Sequence, residues 1–285
     1  MLTATSASAS ATVNHPGPPL ERLTAILRGL DRAAVAVSGG VDSLTLARVA
    51  HDLLGKNVTM YHAVSPAVPI EATERVRALA QQYGWQLEVI NAGEFDSEDY
   101  MLNPVNRCFF CKTSLYDAIQ AIAKQTNAQI LSGTNTDDLG EYRPGLEAAK
   151  QHDVRHPFVE ADISKADVRA LARELGMPDI AELPAAPCLS SRVETGIAID
   201  PETLKAIHAT ENLIGAELKP KTVRCRVRAN GVVIELDEAT LDAMDQNNQI
   251  DLVSKIERIF SQKSLAMSIR FEAYRTGSAF LINRS

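Results

Sequence analysis

The sequence predicts an α/β fold, a parallel sheet flanked by helices, followed by a smaller α+β module. Three observations lead there. Short apolar runs alternate with helical periods from Leu20 to about residue 180, and strands separated by helices of that length run parallel. Residues 177–200 are proline-rich and weakly periodic, as a functional loop joining two units would be. Beyond it, the alternating runs VRCRVR and VVIEL flank Ala229-Asn230-Gly231, a hairpin signal.

The elements follow in order. LERLTAILRGL places apolar residues at 20, 23, 26, 27 and 30, one face of a helix. AAVAV (33–37) is a short buried strand, and VDSLTLARVAHDLLG resumes the helical period. NVTMYHAV (57–64) is strand-like, IEATERVRALAQQYG helical, and WQLEVIN (85–91) a strand. FFCKTSLYDAIQAIAKQ reads as helix, AQILSGT (128–134) as strand, and SKADVRALARELG as a helix with Ser164 at its N-cap. PETLKAIHATENLIG is a helix before the hairpin, and SIRFEAYR is strand-like near the end. The reading divides the chain into a disordered tail (1–18), an α/β domain (19–185), a cysteine-bearing interdomain loop (186–200) and a C-terminal α+β domain (201–285).

Composition bounds the function. The 285 residues are 45% apolar and 23% charged, ordinary globular values that leave room for two domains. The formal charge of −7, with no basic block, argues against a nucleic-acid partner, since phosphate neutralisation needs clustered Lys and Arg. No apolar run approaches the ~18 residues that span a bilayer, so no membrane partner is expected. The opening MLTATSASASATVNHPGPP has neither the charged start nor the apolar stretch of a secretory signal. Four cysteines in a chain this long suit a reducing cytoplasm, where paired cysteines more often mean metal or catalysis than disulfides.

Two segments point to a nucleotide. Ser38-Gly39-Gly40-Val41-Asp42-Ser43 follows a strand and opens a helix. Glycines there let backbone approach an anion, and helix amides favour phosphate. Ser38 and Ser43 add donors, and Asp42 is a candidate Mg²⁺ contact. The lysine of a Walker A loop is absent from this segment. The second segment, LSGTNTDDLGEYRPGLEAAKQHDVRHPF (131–158), begins at the carboxyl end of a predicted strand, where open α/β sheets bind ligands. Gly133 and Thr134 are candidates to meet the nucleotide and Asp137 or Asp138 a metal. Arg143 is suited to a phosphate or carboxylate.

The cysteines point to sulfur or metal chemistry. Cys108 and Cys111 in NRCFFCKTSLY enter a helix as a Cys-x-x-Cys step. Alone, that step is equally a redox pair, half a zinc site or half an iron–sulfur site, although no thioredoxin-like context supports the first. A closed zinc site needs four ligands, with Cys188 of PAAPCLSSR as a third and His152 or His156 as a fourth. Cys225, inside VRCRVR, is expected to pack in a strand. Cys108, Cys111 and Cys188 then remain, and three thiolates on a [4Fe–4S] cubane leave one iron open.

SGGVDS resembles the PP-loop of the ATP pyrophosphatases, which transfer AMP to an oxygen and release pyrophosphate. Taken with NRCFFCKTSLY, GTNTDDLGEYRPGLEAA, APCLSSRVETG and CRVRANG, in that order, it closely resembles the LarE family. These are ATP-dependent sulfur transferases of nickel-pincer cofactor synthesis. The resemblance runs from about residue 20 to about residue 235. It implies a PP-loop domain, a smaller C-terminal domain and a homo-oligomer, often a hexamer of two trimers. The implied substrate is pyridinium-3,5-biscarboxylic acid mononucleotide, whose carboxylates become thiocarboxylates, and the implied cofactors are ATP and Mg²⁺. In many relatives the cysteine matching Cys188 gives up its own sulfur and becomes dehydroalanine, and those relatives lack matches to Cys108 and Cys111. This chain has all three, so the resemblance implies the subgroup in which they hold a [4Fe–4S] cluster and sulfide or another donor supplies the sulfur. Arg226 and Arg228 match paired arginines that hold the substrate phosphate, and an alternating strand turns both to one face. Arg192 is expected to hold a carboxylate near Cys188, and Glu211 matches a family acid near that cysteine. An iron–sulfur tRNA thiolase would share the chemistry but carry a basic face, and a regulatory nucleotide module would not need the metal acids.

Overall fold

A computed structural model describes residues 17–140, 143–261 and 268–275. The expected N-terminal tail lies outside the described residues except for Gly17 and Pro18. Helix α1 (Pro19–Leu27) leads into β1 (Ala33–Ala36), α2 (Val41–Leu54), β2 (Val58–Ala63), α3 (Ile70–Tyr83) and β3 (Gln86–Ile90). Next come α4 (Glu98–Met101), α5 (Arg107–Ala123), β4 (Gln129–Leu131), α6 (Pro144–Gln151), α7 (Pro157–Glu160), α8 (Lys165–Glu174) and α9 (Pro178–Ala181). After the proline-rich loop follow α10 (Pro201–Leu218), β5 (Val223–Arg228), β6 (Gly231–Leu236), α11 (Glu238–Asp242), α12 (Gln246–Phe260) and β7 (Ile269–Ala273).

The first four strands form a parallel sheet in the order β3-β2-β1-β4. β1 is buried along its whole length, as a central parallel strand covered on both faces must be. Its alternation sorts two apolar clusters. Ala33, Val35 and Val37 join Leu23, Leu44, Phe158 and Leu171 on one face, while Ala34 and Ala36 join Tyr61, Tyr116, Ile119 and Ile130 on the other. Successive strands step one way from β1 to β3, and β4 then returns to β1's other side. That reversal opens a crevice at the carboxyl ends of β1 and β4.

Local chemistry accounts for the helix starts. Ser164 caps α8 in a reciprocal box with Asp167, as expected from the sequence. Asp200 caps α10 through the Thr203 amide at 3.0 Å. Two elements differ from expectation. The strand expected over 128–134 ends at Leu131, because Ser132 turns its amide to the Arg155 carbonyl (3.0 Å) and its hydroxyl to His156 Nδ1 (2.7 Å). In the hairpin, Arg228 pairs with Gly231, so Ala229 and Asn230 form the loop and Gly231 is already strand. Gly231 has φ +129°, and a Cβ there would sit 2.2 Å from the Ser268 carbonyl oxygen. That carbonyl accepts from the Val232 amide as β7 joins β6 in parallel, completing the sheet β5-β6-β7.

A third apolar cluster draws on both sides of the proline-rich loop. Ala67 and Tyr100 join Leu204, Ile207, Cys225, Ile234, Leu252 and Ile256, with Cys111 packed against them. Asn103 ties this junction. It is fully buried at φ +54°, a left-handed position that asparagine tolerates. Its Nδ2 donates to the carbonyls of Glu194 and Ile197 at 2.9 Å each, and Arg107 donates to its Oδ1. Replacing Asn103 with Ala orphans these buried groups, and a loss of about 2–3 kcal/mol is expected in urea unfolding.

Candidate nucleotide loop and cysteine site

The Ser38–Ser43 loop sits at the mouth of the crevice. Gly39 has φ +84°, and a Cβ there would meet the Ala72 carbonyl oxygen at 3.0 Å. Arg75 donates to the Gly39 carbonyl at 2.8 Å. Ser43 Oγ accepts from the Ser38 amide and donates to the Gly40 carbonyl, both at 3.1 Å. Gly40 is the N-cap of α2 and offers no side chain to cap it, so the first amides of the helix remain available to an anion. Below the loop, His62 is fully buried, with Nδ1 against the Val37 carbonyl (2.8 Å) and Nε2 against Thr73 Oγ1 (2.9 Å). Burial holds its pKa below the usual value, so it braces the strand end as a neutral ring.

The β4 loop closes against this one. A Cβ on Gly133 would fall 2.8 Å from the Ser43 amide nitrogen, a clash with backbone that only glycine avoids. Thr134 lies alongside, its hydroxyl 3.1 Å from Ser132 Oγ. Asn135 donates to Asp42 Oδ1 at 3.0 Å, and Lys165, at the start of α8, forms an ion pair with Asp42 Oδ2. Asp138 accepts from the Asn135 amide (3.1 Å) and pairs with Arg143 (2.9 Å). Asp137 is exposed. Asp42 is therefore a shared acceptor, and Lys165 supplies the cation that the loop's own sequence lacks. Sequence reading missed Lys165 and Asn135, because their link to Asp42 spans 123 and 93 residues. The only local signal for Lys165 was the capping serine beside it.

The cysteine site lies on α5 and the proline-rich loop. Cys108 and Cys111 occupy the first turn and a half of α5 and are half-buried, Cys188 is exposed and Cys225 is fully buried. Burial raises the Cys108 thiol and pushes Cys111 up to about 12, and in both the next largest cause is the charge of Cys188. Cys188, although it comes from a distant loop, is thus near enough to α5 for its charge to weigh on both thiols. Lys112 stands beside them and opposes part of that rise. Among the described residues no three His, Cys, Asp or Glu side chains are gathered into a metal-holding shell. The donor set fits an iron–sulfur group in kind, since thiolates are its ligands and a cation would relieve their mutual repulsion. The two histidines weighed as a fourth ligand are committed elsewhere. His152 contacts the Ala148 carbonyl (2.8 Å) and Asp117 (3.0 Å), and His156 contacts Ser132. Cys225 packs in β5 as expected, and full burial raises its thiol pKa far above the usual range.

The arginines face inward. Arg192, with a side chain 4% exposed, donates to both oxygens of Glu211 at 3.0 and 3.1 Å. It also donates to the carbonyls of Pro187 (2.6 Å) and Cys188 (3.1 Å). Glu211 accepts the Cys225 amide as well, at 2.9 Å. This places Arg192 and Glu211 under the cysteine loop as braces. Arg226 and Arg228 share one face of β5, as the alternation required, and both pair with Glu235 across the hairpin (3.0 and 2.9 Å). Arg226 also donates to the Ser191 carbonyl at 2.9 Å, which joins the hairpin to the cysteine loop. Sequence reading did not single out Glu235, which the hairpin register sets opposite Arg224 and which Arg226 and Arg228 reach from further along β5.

A serine–glycine loop and a facing glycine at the switch point of a four-stranded parallel sheet are consistent with an α/β domain of the PP-loop kind. The chain is 37% identical over 259 residues to an uncharacterised protein of Synechocystis sp., covering 90% of this chain and 95% of that one. It is 32% identical over 221 residues to the pyridinium-3,5-bisthiocarboxylic acid mononucleotide synthase of Lactiplantibacillus plantarum, covering 77% of this chain and 79% of that enzyme. It is 26% identical over 205 residues to a component of the glutamine-hydrolysing GMP synthase of Methanopyrus kandleri, covering 66% of this chain and 64% of that one. No family model matches. The chain belongs to the LarE family, that of the pyridinium bisthiocarboxylic acid mononucleotide synthase. No described helix is long and apolar enough to cross a membrane.

Exposure and thiol pKa together predict an order of reactivity for the metal-free protein. At pH 8, iodoacetamide is expected to modify Cys188 first, Cys108 and Cys111 more slowly because their raised pKa keeps them protonated, and Cys225 only on unfolding. Peptide mass spectrometry over a time course checks the order.

Proposed function

We propose that this protein is an ATP-dependent sulfur transferase that converts the carboxylates of pyridinium-3,5-biscarboxylic acid mononucleotide to thiocarboxylates, forming AMP and pyrophosphate. The observation that carries the reading is a glycine loop at the switch point of the parallel sheet, with Cys188 near enough to α5 to weigh on Cys108 and Cys111. The product named for the Lactiplantibacillus relative supports the substrate. Ser38, Gly39, Gly40 and Ser43, with Gly133 and Thr134 opposite, cradle the phosphates of ATP through backbone amides and hydroxyls. Asp42 and the Asp137-Asp138 pair are the oxygens suited to Mg²⁺, and Lys165 leaves Asp42 for the phosphates when the metal binds. Adenylation turns a carboxylate into an electrophile that releases AMP when sulfur attacks. Three thiolates hold a [4Fe–4S] cluster in this reading, and when bound it supplies the sulfur nucleophile from sulfide or another donor. Arg192 and Glu211 keep Cys188 at the rim. Arg226, Arg228 and Arg143 are the cations available to the substrate's phosphate and carboxylate.

Incubation of the anaerobically reconstituted protein with ATP, Mg²⁺, sulfide and the biscarboxylate is expected to give AMP, pyrophosphate and thiocarboxylate with repeated turnover. Formation of ADP and phosphate without AMP would sink the reading. Loss of about 34 Da from Cys188 after one turnover, the mass of H₂S, would instead make that cysteine the sulfur source. Lys165→Ala and Gly133→Ala are each expected to slow AMP formation roughly a hundredfold, about 2.7 kcal/mol of transition-state stabilisation. The first removes the loop's cation, and the second forces the two loops apart.

A further inference from the structure

At the end of β4 the chain bridges to Arg155, whose amide donates to the Ile130 carbonyl and whose carbonyl accepts the Ser132 amide, both at 3.0 Å. The bridge sets the next residue, His156, beside the Ser132 side chain. Pro157 follows and disfavours a helical backbone at His156, which sits at φ −121° and ψ 79°. His156 Nδ1 lies 2.7 Å from Ser132 Oγ, and Ser132 Oγ lies 3.1 Å from Thr134 Oγ1. Ser132 is buried. These three side chains form one line of polar atoms that ends in the loop where Gly133 lies against the Ser43 amide. Burial holds the His156 pKa below the usual value, so the ring is neutral and carries one proton, on Nδ1 or on Nε2. The two tautomers send the hydroxyl protons opposite ways. With the proton on Nε2, Nδ1 accepts from Ser132, Ser132 accepts from Thr134, and Thr134 has no proton left to offer. With the proton on Nδ1, His156 donates to Ser132, Ser132 donates to Thr134, and the Thr134 proton is free for a ligand.

We propose that His156 is a positioning residue of the nucleotide site, donating through Nδ1 and turning the Ser132 and Thr134 hydroxyls so that Thr134 donates to a phosphate oxygen of the bound nucleotide. The proposal rests on the nucleotide reading above and adds to it the residue that sets the direction of the hydroxyls. A hydrogen bond to an anionic oxygen is stronger than one between two hydroxyls, so a bound phosphate favours the arrangement in which the Thr134 proton is free. The ring holds one proton in either arrangement, and its charge does not change. His156 touches neither the nucleotide nor the reacting atoms, and its effect reaches the phosphate through Ser132 and Thr134 alone.

The test uses the full chain and α,β-methylene-ATP with Mg²⁺, a nucleotide that cannot release AMP, titrated by isothermal calorimetry. Thr134→Val and His156→Leu are each expected to weaken binding roughly tenfold, about 1.4 kcal/mol. The double variant is expected to lose the same factor of about ten rather than about a hundred, because both changes break one chain of hydrogen bonds. His156→Asn keeps an N–H donor in the place of Nδ1 and is expected to bind within about twofold of wild type. Nitrogen NMR spectra of histidine-labelled wild type, with the His156 signal assigned by its loss in His156→Asn, are expected to show the proton on Nδ1 in the complex. A merely structural role would not fix that tautomer, and the spectra carry the test if His156→Leu fails to fold by circular dichroism. Additive losses, full affinity in Thr134→Val, or a proton on Nε2 in the complex overturns the role of His156 and leaves the nucleotide reading standing. A wild-type chain that binds no nucleotide overturns both.

Discussion

The ion pair between Arg192 and Glu211 holds the functional architecture together. One guanidinium gathers both oxygens of Glu211 and the carbonyls of Pro187 and Cys188, and Glu211 in turn takes the Cys225 amide of the hairpin. A loop, a helix and a strand from separate stretches of the chain therefore meet at one buried charge pair. Breaking such a pair from one side typically costs ~3–5 kcal/mol, because the survivor is left buried and uncompensated. The consequence for the site is positional. The residues from Leu189 to Val193 are buried while Cys188 stays exposed, so the thiol is presented on a rigid ledge.

The same junction explains why the two halves do not pack as independent bodies. Tyr100, Asn103 and Cys111 belong by sequence to the α/β half, yet they pack on or bond to the loop and the C-terminal core. Asn103 supplies donors to carbonyls that lie about 90 residues away in the chain. Backbone carbonyls taken out of water demand such partners, and Asn103 adds its donor at Glu194 to the Ile197 amide that the loop itself supplies there. The arginines of β5 extend the network, since Arg226 reaches the Ser191 carbonyl while it and Arg228 neutralise Glu235.

The nucleotide loop is organised by close approach. Gly39 lies under Ala72, and Gly133 lies against the Ser43 amide at a distance that leaves no room for a side chain. Two loops from β1 and β4 can then share Asp42, which Asn135 and Lys165 both reach. Asp42 is thereby held between a neutral donor and a cation, both from beyond β4. The cysteine ledge reaches this same end of the sheet through the Leu189 amide, which donates to the Ala67 carbonyl at 2.9 Å.

The sequence by itself determined the parallel strands, the longer helices between them, the hairpin, the glycine loop and the three candidate sulfurs, while the short helices α4, α6, α7 and α9 were not legible in it. Those features are written in local periodicity, turn chemistry and short motifs, which act within a few residues of one another. Ser164 as a cap and Arg226 and Arg228 on one face follow from spacing alone. Only the tertiary structure decided that Arg192 braces the loop, that Lys165 reaches Asp42, that His152 bonds Asp117 and His156 bonds Ser132, and that Glu94 Oε2 is buried without a partner. Each of these depends on which distant segments share a desolvated volume. Burial and long-range pairing are set by how the whole chain packs, and no local pattern encodes them.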